Sequence, residues 1–241
     1  MLQLDHFALF SYNIYKSTFK LSKETGLGNY DGGFFPNFGA ALKIVPLGPD
    51  VFLEIQGLID YEVMKHIAAD SSSAGLDATG LSGFVHKAVQ KPECFSGWCF
   101  RTDTLEELEE LAKIAKFHVD HDTLNLDNAQ QMMGGDQIVV VEAPSGHVAW
   151  NVGMPNVYYW PDMSKHDARY PVIPETDKRK PSGIAWVEVG GTPRQFEDWF
   201  GGYTKADDHP LRFNGKTPGL YAIAVNTDDG EIVIRRPTLN E

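Results

Sequence analysis

Leu4-Asp5-His6-Phe7-Ala8-Leu9-Phe10 places an acid and a histidine inside a run of apolar and aromatic residues. That partial alternation is the signature of a buried strand. Downstream, Asn13 is positioned as a cap and Ile14, Phe19 and Leu21 are the apolar points of a short helix over residues 11–23, ending before Gly26 and Gly28. Residues 31–39 are turn-rich and carry three phenylalanines, including Phe35. Strands are predicted at 41–47 and 51–58, on either side of a turn at Gly48-Pro49-Asp50. Residues 1–60 therefore read as one β-α-β-β-β unit.

The same order returns after an irregular insertion, residues 61–95, which holds a loop-like Asp70-Ser71-Ser72-Ser73-Ala74-Gly75. A strand is predicted at 97–102. Thr104 and Glu107 stand at capping-box spacing, and Leu105, Leu108, Leu111 and Ile114 keep a helical period. Strands at 137–142 and 147–152, joined by Ala143-Pro144-Ser145-Gly146, complete a second module over 96–158. Residues 159–241 hold a proline- and charge-rich linker and a partial third copy. That copy has a strand at 184–189, a second capping box at Thr192-Pro193-Arg194-Gln195, and strands at 220–225 and 231–235 around Asp228-Asp229-Gly230. Repetition of one supersecondary unit predicts an α+β fold of paired βαβββ modules with a C-terminal partial module.

The 241 residues carry 21 Lys and Arg against 33 Asp and Glu, a net charge of −12. This balance argues against nucleic-acid partners, which demand a basic surface, and against docking on anionic membranes. Two cysteines, Cys94 and Cys99, are too few for a disulfide scaffold, and their spacing has no companion pair for structural zinc. No apolar run reaches the ~18 residues that span a bilayer, and the first residues do not read as a signal peptide. The expected compartment is the cytoplasm. Phosphate loops, dinucleotide fingerprints and the serine-hydrolase elbow are absent from the sequence.

Tandem β-α-β-β-β modules, with His6 in the first strand and Glu54 in the fourth, resemble the vicinal oxygen chelate superfamily. Within it, the glyoxalase-like domain family is the nearest match, on Leu4-Asp5-His6, Gly32-Gly33, Leu53-Glu54 and Trp150, over roughly residues 4–235. The resemblance implies a cleft between two half-barrels, with one metal ligand from the first and fourth strand of each module. Aligning the modules sets Asp5-His6-Phe7 against Gly97-Trp98-Cys99 and Phe52-Leu53-Glu54 against Val148-Ala149-Trp150, so the four inward positions are His6, Glu54, Trp98 and Trp150. Tryptophan does not ligate divalent metals, and two protein ligands fall short of the usual three. No cofactor is the leading expectation, with a divalent metal on His6 and Glu54 kept as the alternative. A third ligand would come from His86, His118, His121, Asp122 or His147. The family pattern also leads one to expect histidine, threonine and asparagine where this chain has Phe35, Ala40 and Leu42.

Without metal, His6 and Glu54 are read as a catalytic pair within hydrogen-bond reach, in a pocket lined by Phe35, Phe52, Trp98, Phe100 and Trp150. On the same parity, Cys99 and Arg101 point away from it. Tyr158-Tyr159-Trp160-Pro161 closes one end of the cleft or packs the linker, and packing is preferred. The expected function is an enzyme acting on a small, largely apolar or aromatic carbonyl compound by general acid/base chemistry, with isomerase, lyase and hydrolase types open. The alternative is a non-catalytic protein that sequesters a small molecule between aromatic rings. Either is compatible with a monomer or a homodimer.

Overall fold

The computed structural model describes residues 2–35, 39–60, 62, 81–120, 140–173 and 176–241. The first unit runs β1 (Gln3–Ser11), α1 (Ile14–Thr25), β2 (Tyr30–Phe35), β3 (Ala40–Gly48) and β4 (Val51–Leu58). The Asn13 side chain accepts the Lys16 amide and Gly26 closes α1 in the left-handed region at φ 74°. After α2 (Leu81–Ala88), within the stretch expected to be irregular, come β5 (Glu93–Thr102) and α3 (Leu105–Ala115). Thr104 Oγ1 accepts the Glu107 amide as the capping box requires, while Glu107 reaches one residue further back, to the Asp103 amide.

The second unit ends differently from expectation. Strand β6 covers only Val141–Ala143. Residues 147–152, read as a strand, fall instead almost wholly in the short helix α4 (Gly146–Asn151), and the closing strand is β7 (Asn156–Tyr159). The reason is visible in burial: Gly146, Ala149 and Trp150 face inward at i, i+3, i+4, a helical rather than an alternating period. The predicted loop at 70–75, residues 137–139 of the predicted strand, and the candidate ligands His121 and Asp122 lie outside the described residues.

One seven-stranded sheet unites the two units in the order β2-β3-β4-β1-β5-β7-β6. Within each unit the first strand pairs parallel with the last, β1 with β4 and β5 with β7, and the units join where β1 and β5 run antiparallel. The C-terminal unit follows as β8 (Pro181–Val189), α5 (Pro193–Trp199), β9 (Leu211–Phe213), β10 (Leu220–Thr227) and β11 (Gly230–Arg235). It keeps the β-α-β-β-β element order but forms its own sheet, β11-β10-β8-β9, with the first strand in the interior. Thr192 and Gln195 form the complete capping box with Pro193 in the first turn.

The two faces of the large sheet differ. Phe7, Leu9, Val45, Leu53, Ile55, Trp98 and Phe100 face α1, α3 and the C-terminal unit in the main apolar core, with Phe196 and Phe200 of the latter region packed against them. The opposite face carries Ala8, Phe10 and Cys99 against Phe84 of α2 and Trp150 of α4. Its other half carries Ile44 and Phe52 against Trp160 and Ala168 of the linker. Among the described residues no helix is long and apolar enough to cross a membrane. Gly97 lets the Trp150 indole lie on β5: a Cβ there would sit 2.0 Å from the ring. Gly97→Ala is expected to cost about 1–3 kcal/mol by overpacking, read as a lowered urea midpoint.

Candidate functional site

The site grows from a bulge. Leu4 pairs with Phe100 and His6 with Cys99, so Asp5 is an extra residue in β1 with no partner of its own across the ladder. Asp5 and His6, neighbours in sequence, therefore work on the same side. His6 Nδ1 donates to Asp5 Oδ1 at 2.6 Å. Asp5 Oδ2 accepts from Trp160 Nε1 at 3.0 Å and from His166 Nε2 at 3.1 Å. The His166 tautomer follows from its other nitrogen, which accepts the Ala168 amide at 3.2 Å. Arg101 Nη1 stands 3.9 Å from Asp5 Oδ2 and donates to the carbonyls of Leu4 and Asp50.

The network continues through the second unit. His6 Nε2 lies 3.0 Å from Cys99 Sγ, which donates to Asn156 Oδ1 at 2.8 Å. With the thiol proton on Asn156, His6 donates from both nitrogens, as an imidazolium does. Trp150 Nε1 also donates to Asn156 Oδ1, and Asn156 Nδ2 donates to Glu142 Oε2 at 2.7 Å. The Gly146 amide gives Glu142 a further hydrogen bond at 2.9 Å. Phe52 stacks on the His6 ring at 4.8 Å and Tyr158 meets it edge-on at 5.0 Å. Glu54, buried on β4, accepts from Gln56 Nε2 at 2.6 Å.

Charges here are strongly tuned. Burial alone would raise Asp5, but hydrogen bonds from His166 and His6 and the charge of His6 hold it down at about 2. Burial pulls His6 down, yet the Asp5 hydrogen bond and the carboxylates of Asp5, Glu54 and Asp167 leave it raised. Burial raises Glu54, against the opposing charge of His6. Burial also pushes Glu142 and Asp167 up to about 7. The Cys99 thiol is pushed well above its ordinary range by burial and by Asp5, Glu54 and Glu142. Groups raised on folding contribute stability below their unfolded values and lose it as pH climbs through the folded ones. Glu142 and Asp167 therefore weaken the fold between about pH 4 and pH 7, and His6 adds to the loss above its ordinary value. Thermal melts should give a lower midpoint at pH 8 than at pH 5, and Glu142→Gln should flatten that fall.

Several expectations are corrected. His6 and Glu54 share one face, but the carboxylate on His6 is Asp5, and no His6–Glu54 hydrogen bond forms among the described residues. Phe52 and Trp150 border the His6 ring. Trp98 and Phe100 do not: they pack on Phe196 in the main core. Cys99 and Arg101, read as pointing away, face the site. The module alignment was one residue out of step on β5, and such a slip turns every side chain over. The fourth-strand position on the second unit belongs to β7, hence to Asn156 and Tyr158, and Trp150 reaches the site from a helix. Phe35 lies at the end of β2, and its side chain is outside the described residues. Tyr158 and Trp160 both touch the His6–Asp5 network.

Sequence reasoning missed Asp5, Asn156, Glu142, His166 and Asp167. The first stands beside His6, where a strict period of two sends it to the other face. The others carry no spacing signal relative to His6.

Among the described residues, the donors considered for a metal do not converge on His6 and Glu54. Both His6 nitrogens are engaged by Asp5 and Cys99, and His118 and His86 are exposed. His147 stands in α4, half-buried. Among the described residues no group of three or more His, Cys, Asp or Glu side chains is arranged to hold a metal ion.

The profile described as a glyoxalase-like domain matches residues 4–198. No curated protein sequence matches the chain. A hypothetical protein from Staphylococcus aureus superposes with a TM-score of 0.54 at 13% identity, over 98% of this chain and 86% of its own, and so shares the fold. Methylmalonyl-CoA epimerase from Mycobacterium tuberculosis gives a TM-score of 0.39 at 8% identity, over 64% of this chain and 84% of its own. A hypothetical protein from Bacillus halodurans gives 0.41 at 11%, over 67% and 96%.

Proposed function

The chain belongs to the glyoxalase-like domain family, with the vicinal oxygen chelate fold, and from that premise we propose that it is an enzyme acting on a small, largely apolar or aromatic carbonyl compound by general acid/base chemistry. The supporting observation is Glu54: a buried carboxyl whose pKa burial raises, on the same sheet face as His6, whose basicity Asp5 raises. A carboxyl tuned upward is suited to take and return a proton near neutral pH.

In this reading Glu54 removes the proton from the carbon next to the carbonyl. The negative charge that develops on the carbonyl oxygen is balanced by the His6 imidazolium, itself held by Asp5. Phe52, Trp150 and Tyr158 pack directly on the His6 ring, an apolar setting that favours a largely apolar ligand. Isomerase and lyase chemistry can begin this way; in the hydrolase type Glu54 would take its proton from the attacking water instead.

Incubation with aryl and alkyl ketones and aldehydes in D2O, followed by proton NMR, tests it. The expected result is enzyme-dependent loss of the α-proton signal for at least one compound. Tight binding of such a compound with no exchange or turnover, unchanged in His6→Ala, would replace catalysis by sequestration.

A further inference from the structure

We propose that a second ligand site, independent of Glu54, lies between the first turn of α1 and the β2–β3 hairpin, and that it takes a small amphipathic carboxylate. Lys43 sits one residue from Ile44, which pairs with Glu54, and alternation sends neighbours to opposite faces. The two sites are thus separated by the sheet. The cleft encloses about 390 Å3 and is bordered by Ile14, Tyr15, Phe34 and Ile59, with Asp31 and Lys43 supplying its charge. That volume suits a small molecule rather than a folded partner, near the lower end of the ~300–1,000 Å3 typical of ligand pockets.

Lys43 makes this cleft selective. Its side chain is only 9% exposed, and a buried ammonium needs a partner. The partner is Asp31, 2.6 Å away, whose own side chain is 78% exposed on the edge strand. A carboxylate standing in solvent is held weakly and can be exchanged for one arriving on a ligand. The Lys43 ammonium also lies 5.8 Å from the Tyr15 ring centre. The first turn of α1 carries no acidic residue and presents its positive dipole end here. Tyr15, Phe34 and Ile59 are 68%, 43% and 48% exposed. Large apolar side chains exposed singly are ordinary, but three around one buried cation form an apolar rim with a charged floor. A ligand with an aromatic or alkyl body and one carboxylate satisfies both.

Isothermal titration of the full chain with 2-naphthoate and decanoate, with neutral 2-naphthalenemethanol as control, tests the site. Naphthoate should bind, and Lys43→Met should weaken it at least about tenfold through loss of a charge-assisted contact. Asp31→Asn, whose amide oxygen still accepts from Lys43 but carries no charge, should tighten it about threefold or more, because the charged resident competitor is gone. Tyr15→Ala should weaken it, and Glu54→Gln should leave it unchanged. The proposal is overturned if naphthoate fails to bind at millimolar concentration, if the neutral alcohol binds as well, or if Asp31→Asn weakens binding. A probe held on the Glu54 face would ignore all three substitutions in the cleft and respond to Glu54→Gln, which would also overturn it.

Discussion

Glu54→Gln is expected to lower kcat by about 10²–10⁴ while KM changes little, the mark of a group that acts in proton transfer rather than in binding. Glutamine keeps the size of the side chain and an oxygen able to accept from Gln56 Nε2, the hydrogen bond Glu54 makes now. What it cannot do is carry the proton. The same substitution should raise the thermal midpoint at neutral pH. Burial raises the Glu54 pKa, so its ionised form is held at a cost, and a neutral amide removes that cost. Loss of turnover together with gain of stability separates a catalytic carboxyl from one that merely ties strands together. A fall in both, with KM rising, would assign Glu54 to structure. The pH profile gives a third readout: the ascending limb should lie above the ordinary glutamate range in wild type and disappear in the variant.

The largest stability effect is expected at Asp5. Asp5→Ala removes at one stroke the acceptor of His6 Nδ1, His166 Nε2 and Trp160 Nε1, all buried. Breaking a buried pair leaves its charged partner uncompensated, at about 3–5 kcal/mol. Asp5→Asn should fall between wild type and alanine, since one oxygen still accepts. The pH dependence has a definite sign. The Asp5 pKa is lowered on folding from 3.8 to about 2. Its contribution is therefore complete above the unfolded value and lost as pH falls through the folded one. Denaturant titrations of wild type and Asp5→Ala should differ most above pH 4 and converge towards pH 2. A difference that persists undiminished at pH 2 would mean the loss comes from packing alone.

Sheet pairing explains why one half of the site was readable and the other was not. His6 and Glu54 were found because their strands resemble the family pattern, and β1 from His6 onward pairs with β4 in the register that puts both on one face. On β5 the same logic failed. Every residue from Cys94 to Thr102 is buried, so no alternation marks which side faces which partner. Parity there had to come from aligning the two modules, and that alignment set His6 against Trp98 where the ladder pairs His6 with Cys99. Trp98 then traded places with Cys99.

His6 and Glu54 were singled out by the family resemblance, while local sequence determined the α+β class, the paired β-α-β-β-β order and the caps at Asn13, Thr104 and Thr192. These depend on periods and hydrogen bonds spanning a few residues. Only tertiary structure decided that Asp5 rather than Glu54 holds His6, that residues 146–151 coil into a helix, and that His166 and Trp160 return from the linker to close on Asp5. It also decided that the C-terminal strands build their own sheet. Each of these is a choice between partners far apart in the chain. Such choices follow from which groups are desolvated together, and that is settled by packing rather than by spacing.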